Sequence, residues 1–134
     1  MDASILLRRV LGAPGALVRW EEIERPVGSV LVEVECLRAL DRIRLEERRT
    51  ENELASWRVA ALSMLATMEQ VEMSRAVLAR ASEPLPTVLA TLDAIHLASA
   101  LVWREVSGEE LVVATHDRSL ARAARAHGFP VLGV

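Results

Sequence analysis

The sequence predicts an α/β fold, a parallel sheet covered by helices on both faces, in one domain spanning residues 1–134. Three observations carry that expectation. Short apolar segments of strand character alternate with segments whose apolar residues recur at helical spacing, the pattern of a parallel sheet with helical crossovers. Two junctions place an acid where a helix begins: Leu92-Asp93-Ala94-Ile95-His96-Leu97-Ala98, and Val112-Val113-Ala114-Thr115-His116-Asp117, where an apolar strand runs straight into the acid. A chain of 134 residues, 51% hydrophobic and 26% charged, is also long enough to bury a real core.

The elements follow in order. After Met1-Asp2-Ala3-Ser4, the residues Ile5, Leu6, Leu7, Val10 and Leu11 form a helical pattern that ends at Gly12. Gly12-Ala13-Pro14-Gly15 is a turn, and Pro14 or Gly15 starts a short helix carrying Leu17, Val18 and Trp20. Arg25-Pro26-Val27-Gly28 breaks it. Ser29-Val30-Leu31-Val32-Glu33-Val34-Glu35 has strand propensity, but its apolar positions continue helically through Leu37 and Leu40. Thr50 or Asn52 caps the next helix, which has Leu54, Trp57, Ala61, Leu65 and Met68 on one stripe. It pairs antiparallel with the helical segment before it. Gln70 to Met73 reads as a short strand, Ser74 caps a helix to Arg80, and Glu83-Pro84-Leu85-Pro86 is a loop. A largely apolar helix occupies about 92–105, and Ser107-Gly108-Glu109 turns into a strand at 111–115. A helix over 117–127, stopped by Gly128, leads to a last strand from Pro130 to Val134. There is no repeat, linker or low-complexity segment.

Composition narrows the chemistry. All 16 basic residues are arginine. Without lysine there is no P-loop, no Schiff base and no receiver-domain phosphoacceptor site of the usual kind. Neither a G-x-S-x-G elbow nor a Cys/His cluster spaced for zinc is present. Acids are the only chemical groups left in quantity. A net charge of -3 argues against a general nucleic-acid coat protein but permits a local basic rim around an acidic pocket. One cysteine, Cys36, allows no internal disulfide, fits a reducing cytoplasm and reads as a small core residue. The apolar runs are short of a membrane span and no signal-peptide pattern opens the sequence, so the expectation is a cytoplasmic protein without a membrane partner.

Four stretches carry a family resemblance. They are Asp2-Ala3-Ser4, S-V-L-V-E-V-E-C-L-R-A-L at 29–40, L-D-A-I-H-L-A-S-A-L at 92–101, and T-H-D-R-S-L-A-R-A-A at 115–124 followed by Gly128. In this order and spacing the chain resembles a PIN domain, specifically the VapC-type toxin ribonucleases of bacterial type II toxin–antitoxin pairs. The resemblance covers nearly the whole chain. It implies a PIN-like three-layer α/β/α sandwich with a central parallel sheet. It also implies a very short strand around Val27 and a helix capped by Ser29 that runs through Glu35 to about Glu47. At the carboxyl ends of the strands, where open parallel sheets bind ligands, it places Asp2, Glu35, Asp93 and Asp117. Glu33 competes with Glu35, which the six-residue offset from Ser29 and the following C-L-R-A-L favour. In one respect the chain departs from the family, which carries an apolar strand before its first acid: here only Met1 precedes Asp2. Either the natural start lies upstream or the strand is abbreviated, and an adjacent amino terminus would compete with a metal for Asp2.

Acids packed together repel one another and raise each other's pKa. A divalent cation removes that penalty, and all-oxygen ligation suits Mg2+ or Mn2+. Such an ion lowers the pKa of a bound water and orients a phosphodiester, which points to metal-assisted phosphodiester hydrolysis; the resemblance implies that the substrate is RNA and the protein a metal-dependent endoribonuclease. Each acid alone reads equally as a helix cap or a solvated charge. Ser4 and Thr115 are the hydroxyls that would hold a carboxylate or a water. His96 reads as a partly buried structural residue; His116 and His127 read as surface positions. Arg38, Arg42 and Arg49 on one helix, and Arg118, Arg122 and Arg125 on the last, are candidate phosphate-binding stripes or solvated faces. Trp57 and Trp103 are core or interface anchors, which leaves no aromatic stacking platform. The rival reading is a PIN-fold binding module whose site no longer supports catalysis. The expected partners are RNA, a cognate VapB-like antitoxin that lays an apolar helix along the early helices, and a second copy of the chain in a two-fold dimer.

Overall fold

The computed structural model describes residues 1–15, 20, 23–47 and 49–134. Within them lie six helices and four short strands: α1 (Ala3–Val10), β1 (Val27–Ser29), α2 (Leu31–Glu46), α3 (Glu51–Leu65), β2 (Glu69–Val71), α4 (Arg75–Ala81), α5 (Thr91–Ser107), β3 (Val113–Ala114), α6 (Arg118–Ala126) and β4 (Val131–Leu132). The mixed content is that of an α/β fold. Leu17 and Val18 of the expected short helix lie outside the described residues; Trp20 packs against α1 and its neighbours.

Local chemistry explains most boundaries. Asp2 caps α1, its side chain accepting from the Ser4 amide, and Arg8 and Arg9 sit in the last turn, where the helix dipole favours cations. Thr50, of the two possible caps, makes a full capping box with Glu53 at the start of α3. Ser74 caps α4 as its position predicts. Gly108 ends α5 in the left-handed conformation, φ 71°. Over residues 29–35 helical spacing prevails over strand propensity: β1 stops at Ser29 and α2 starts at Leu31. Ser29 itself belongs to β1, and its hydroxyl accepts from the Leu31 amide at 3.3 Å.

Both sheets are parallel and two-stranded. In one, β1 pairs with β2, Val27 opposite Glu69 and Ser29 opposite Val71. In the other, β3 pairs with β4, Val113 opposite Val131 and Ala114 opposite Leu132. The parallel strands expected as one central sheet therefore stand as two pairs among the described residues. Met1 and Asp2 stitch the pairs together: the Met1 amino group donates to the Val27 carbonyl at 2.6 Å, and the Asp2 amide donates to the Ala114 carbonyl at 3.3 Å. Between the pairs lies a cavity of ≈ 110 Å³ whose walls include Met1, Val27, Leu97, Ala100, Val113 and Leu120. The strand assignments at 70–73, 111–115 and 130–134 contract to two or three residues each, because pairing ends where the partner strand ends.

Helix α5 organises the interior. Its residues 94–99, with Leu101 and Trp103, are buried. Leu97 and Leu101 pack with Val113, Leu120, Ala123, Ala124 and Phe129, while Ile95 and Ala98 pack with Val77 of α4. Burying a leucine contributes about 1.5–3 kcal/mol, so this helix supplies a large share of the core. A second cluster joins α1, α2 and α3 through Ala3, Leu6, Val32, Cys36, Leu65 and Met68. At the far end from the acids, Trp103 donates its indole N–H to Glu69 (2.6 Å), and Arg25 stacks on Trp103 while bonding Glu69 and Glu109. That network ties α5 to β2 and to the segment entering β1. Among the described residues no helix is long and apolar enough to cross a membrane.

Candidate active site

The site is assembled from three helix starts and one helix face. Asp2, at the start of α1, is buried, and both its carboxylate oxygens are held. Oδ1 accepts from the Ser4 amide (3.0 Å) and the Ser4 hydroxyl (2.6 Å), and Oδ2 accepts from the Thr115 hydroxyl. Those two hydroxyls are themselves fixed. Ser4 Oγ accepts from the His116 amide (2.9 Å), and Thr115 Oγ1 accepts from the Asp117 amide (2.9 Å). A short polar chain thus locks the N-terminal acid to the β3–α6 junction. Its buried members are satisfied, as burial demands.

Asp117 caps α6 through Oδ1, which accepts from the Ser119 amide (2.7 Å) and the Leu120 amide (2.8 Å), and the residue is exposed. Glu35 projects from α2, its side chain 27% exposed, and pairs with His96 of α5, Oε2 to Nε2 at 2.7 Å. Asp93 is the third residue of α5, not its cap; the cap position is Ala90, which makes no side-chain bond. Burial pushes the Asp93 carboxyl above the ordinary range, and repulsion from Asp117, with smaller contributions from Asp2 and Glu35, adds to it against an opposing pull from His96. The three other acids therefore all act on Asp93, which has no hydrogen-bond partner among the described residues.

The donor set fits a hard divalent cation in its chemistry. Every candidate ligand is a carboxylate, and Asp93 bears a charge that its neighbours make costly. Spacing is a different matter. Among the described residues no three acidic, histidine or cysteine side chains stand close enough to enclose an ion. The Met1 amino group donates to the Val27 carbonyl, yet it still feels the Asp2 charge, as the sequence led one to expect. Cys36, beside Glu35 in sequence, is no nucleophile. Burial first, then the Glu35 and Asp2 charges, push its thiol up to about 12.

Glu35, rather than Glu33, faces α5 through its bond to His96. His96 is buried, as read, but its carboxylate partner is a feature that sequence reasoning missed; the signal was its position three residues after Asp93 on one helix face. Neither His116 nor His127 is a plain surface residue. Each is half-buried with an Nε2 atom that is out of solvent and without a partner, and His116 Nδ1 lies 2.6 Å from the Gly133 carbonyl. Arg38 is exposed and engaged with Asp41 at 2.9 Å, while Arg118 and Arg122 are exposed on α6 just past Asp117. Trp103 is a core anchor, and Trp57 is half-buried under the Arg49 guanidinium.

The PIN domain family model matches residues 1–126 of the chain. No curated protein matches it.

Proposed function

The chain belongs to the PIN domain family, a nuclease-type fold, and from that premise we propose that it is a Mg2+- or Mn2+-dependent endoribonuclease, a VapC-type toxin neutralised by a cognate VapB-like antitoxin. The observation that carries the reading is Asp93: a half-buried carboxylate, free of hydrogen bonds, surrounded by the charges of Asp2, Glu35 and Asp117. Such a charge, offset only in part by His96, is costly in a structural role and useful in a site that takes up a cation. Asp93, Asp117, Glu35 and Asp2 are the proposed ligands and catalytic residues. Mg2+ or Mn2+ held by these acids would lower the pKa of a water and neutralise charge at the phosphate. Ser4 and Thr115 keep the Asp2 carboxylate in one orientation. Arg118 and Arg122, exposed beside Asp117, receive phosphates of the RNA, and Arg38 does so after leaving Asp41. Attack by water at phosphorus, with departure of the 3′ oxygen, leaves a 3′-hydroxyl and a 5′-phosphate.

The proposed setting is a PIN domain in the cytoplasm, acting as a homodimer, with the antitoxin covering the acids. Exposed Val34 and Leu45 on α2, and Val59 and Leu62 on α3, support a protein partner on that side. A second reading, a PIN-fold binding module without catalysis, is favoured by one observation: no three candidate ligands stand together. Cleavage assays on structured RNA separate the two. Activity that requires Mg2+ or Mn2+, leaves 3′-hydroxyl ends and disappears in Asp93→Asn supports the nuclease. The loss should exceed the roughly 10–100-fold typical of removing an outer partner of a metal ligand. Cleavage without metal, or cyclic 2′,3′-phosphate ends, contradicts the mechanism; metal binding to the wild type without cleavage supports the module.

A further inference from the structure

We propose that Leu132 and Gly133 form a strap that positions the Thr115–Asp117 turn of the candidate active site, with His116 as the side chain that binds it. The inference rests on the nuclease reading above and deepens it by naming two positioning residues, His116 and Gly133, outside the acid set.

The turn from β3 into α6 is gripped from two sides. On one side stands the chain at the end of β4. The Thr115 amide donates to the Leu132 carbonyl at 3.0 Å, which continues the β3–β4 pairing past Ala114. Gly133 then takes φ 98°, a backbone conformation that residues with a Cβ rarely adopt. Its carbonyl lies 2.6 Å from His116 Nδ1. A carbonyl oxygen only accepts, so the imidazole donates through Nδ1–H. The other ring nitrogen, Nε2, is out of solvent and without a partner, so among the described residues the His116 side chain is held through Gly133. On the other side stands the buried Asp2 network. The His116 amide donates to Ser4 Oγ at 2.9 Å, and the Thr115 hydroxyl donates to Asp2.

The strap fits closely. A Cβ at Gly133 would stand 2.5 Å from the Thr115 carbonyl oxygen and 3.2 Å from Ile5 Cδ1. The nearer atom is backbone of the turn itself, so a side chain there pushes on the turn and not on a flexible neighbour. Asp117 follows at once, its amide on Thr115 Oγ1 at 2.9 Å and its carboxylate capping α6. A shift of Thr115 and His116 therefore reaches two acids together, Asp2 through the two hydroxyls and Asp117 through the chain. The ladder bond from Thr115 to Leu132 is enough to hold β4 on β3. The imidazole bond adds a hold on the one residue whose amide orients Ser4.

The test compares the full-length wild type with Gly133→Ala, His116→Ala and His116→Asn, whose amide N–H stands near the Nδ1 position. Circular dichroism establishes that each is folded. The first readout is hydrogen exchange, by nuclear magnetic resonance, of the His116 and Asp117 amides, the two that bond Ser4 Oγ and Thr115 Oγ1. Gly133→Ala and His116→Ala should exchange them roughly three- to tenfold faster, the effect of one lost hydrogen bond, while α3 amides keep the wild-type rate and His116→Asn stays within about twofold of it. The second readout is RNA cleavage with Mg2+. There kcat is expected to fall by a similar factor, roughly three- to tenfold, in the same two variants and to recover in His116→Asn. KM should stay unchanged, because neither residue is a proposed substrate contact. Unchanged exchange of the two amides overturns the proposal, and so does an equal rise throughout the chain, which is plain loss of stability. Faster exchange with an unaltered kcat overturns it too, as does an asparagine variant as perturbed as the alanine one. A wild type that cuts no RNA removes the nuclease reading instead, and the exchange rates alone then uphold or overturn the strap. Should Gly133→Ala not fold, the two His116 variants decide.

Discussion

Asp93 has two opposed uses for one carboxylate, and the balance between them is measurable. Folding raises its affinity for a proton, through burial first and then through the charge of Asp117. The folded chain binds that proton more tightly than the unfolded one, so the contribution to stability is present below the ordinary aspartate range and is lost as pH rises through the raised value. At neutral pH without divalent metal, Asp93→Asn should therefore melt no lower than wild type in a thermal-shift assay. A clear drop would mean that the carboxylate serves the helix start. Cys36 gives a second test at this scale. Buried, and with its thiol pushed up to about 12, it should resist alkylation at pH 8 in the native protein and react promptly in denaturant. Sequence made the acids legible as a set, and with them the Ser4 and Thr115 hydroxyls that hold Asp2, but not the histidine that holds Glu35. A histidine three residues after an aspartate lies on the same helix face; which helix will face it depends on packing across 61 residues.

At the scale of elements, the helix starts were the most readable features, because capping is local chemistry. Thr50→Ala removes the capping box of α3 and should cost about 1 kcal/mol in a urea titration. Asp2, for which a cap was one of the two readings, caps α1 and is held by Thr115 at once. Strand ends were the least readable, since pairing depends on a partner far away. Gly28 shows how tight one such strand is. A Cβ built there would stand 2.6 Å from Met68 Cε and 3.3 Å from both the Met1 carbonyl oxygen and Val32. Gly28→Ala should therefore destabilise the protein by about 1–3 kcal/mol, the usual range for overpacking. A melting temperature equal to wild type would show that the Met68 side chain yields freely.

For the whole molecule, the alternation of helical and extended segments was enough to read an α/β fold, and the family followed from motif order. The division of the strands into two parallel pairs accords with the departure seen in the sequence, only Met1 standing where the family carries an apolar strand before its first acid; Met1 and Asp2 reach Val27 and Ala114 through single hydrogen bonds that no residue pattern announces. The proposed dimer makes its own prediction. Light scattering at tens of micromolar should report twice the chain mass, and Val59→Arg with Leu62→Arg should return a monomer if the exposed apolar stripe of α3 is the contact. The central claim, that the acids around Asp93 are a cation site, is tested most directly by a Mn2+ titration of thermal stability in wild type and Asp93→Asn side by side. A ligand that binds only the native state stabilises it by about 2.7 kcal/mol at a hundredfold excess over Kd, on the order of 10 °C for a chain of this size. The expected result is a rising melting temperature in wild type and a flat one in Asp93→Asn. A flat wild type, or an equal rise in both proteins, would contradict the account.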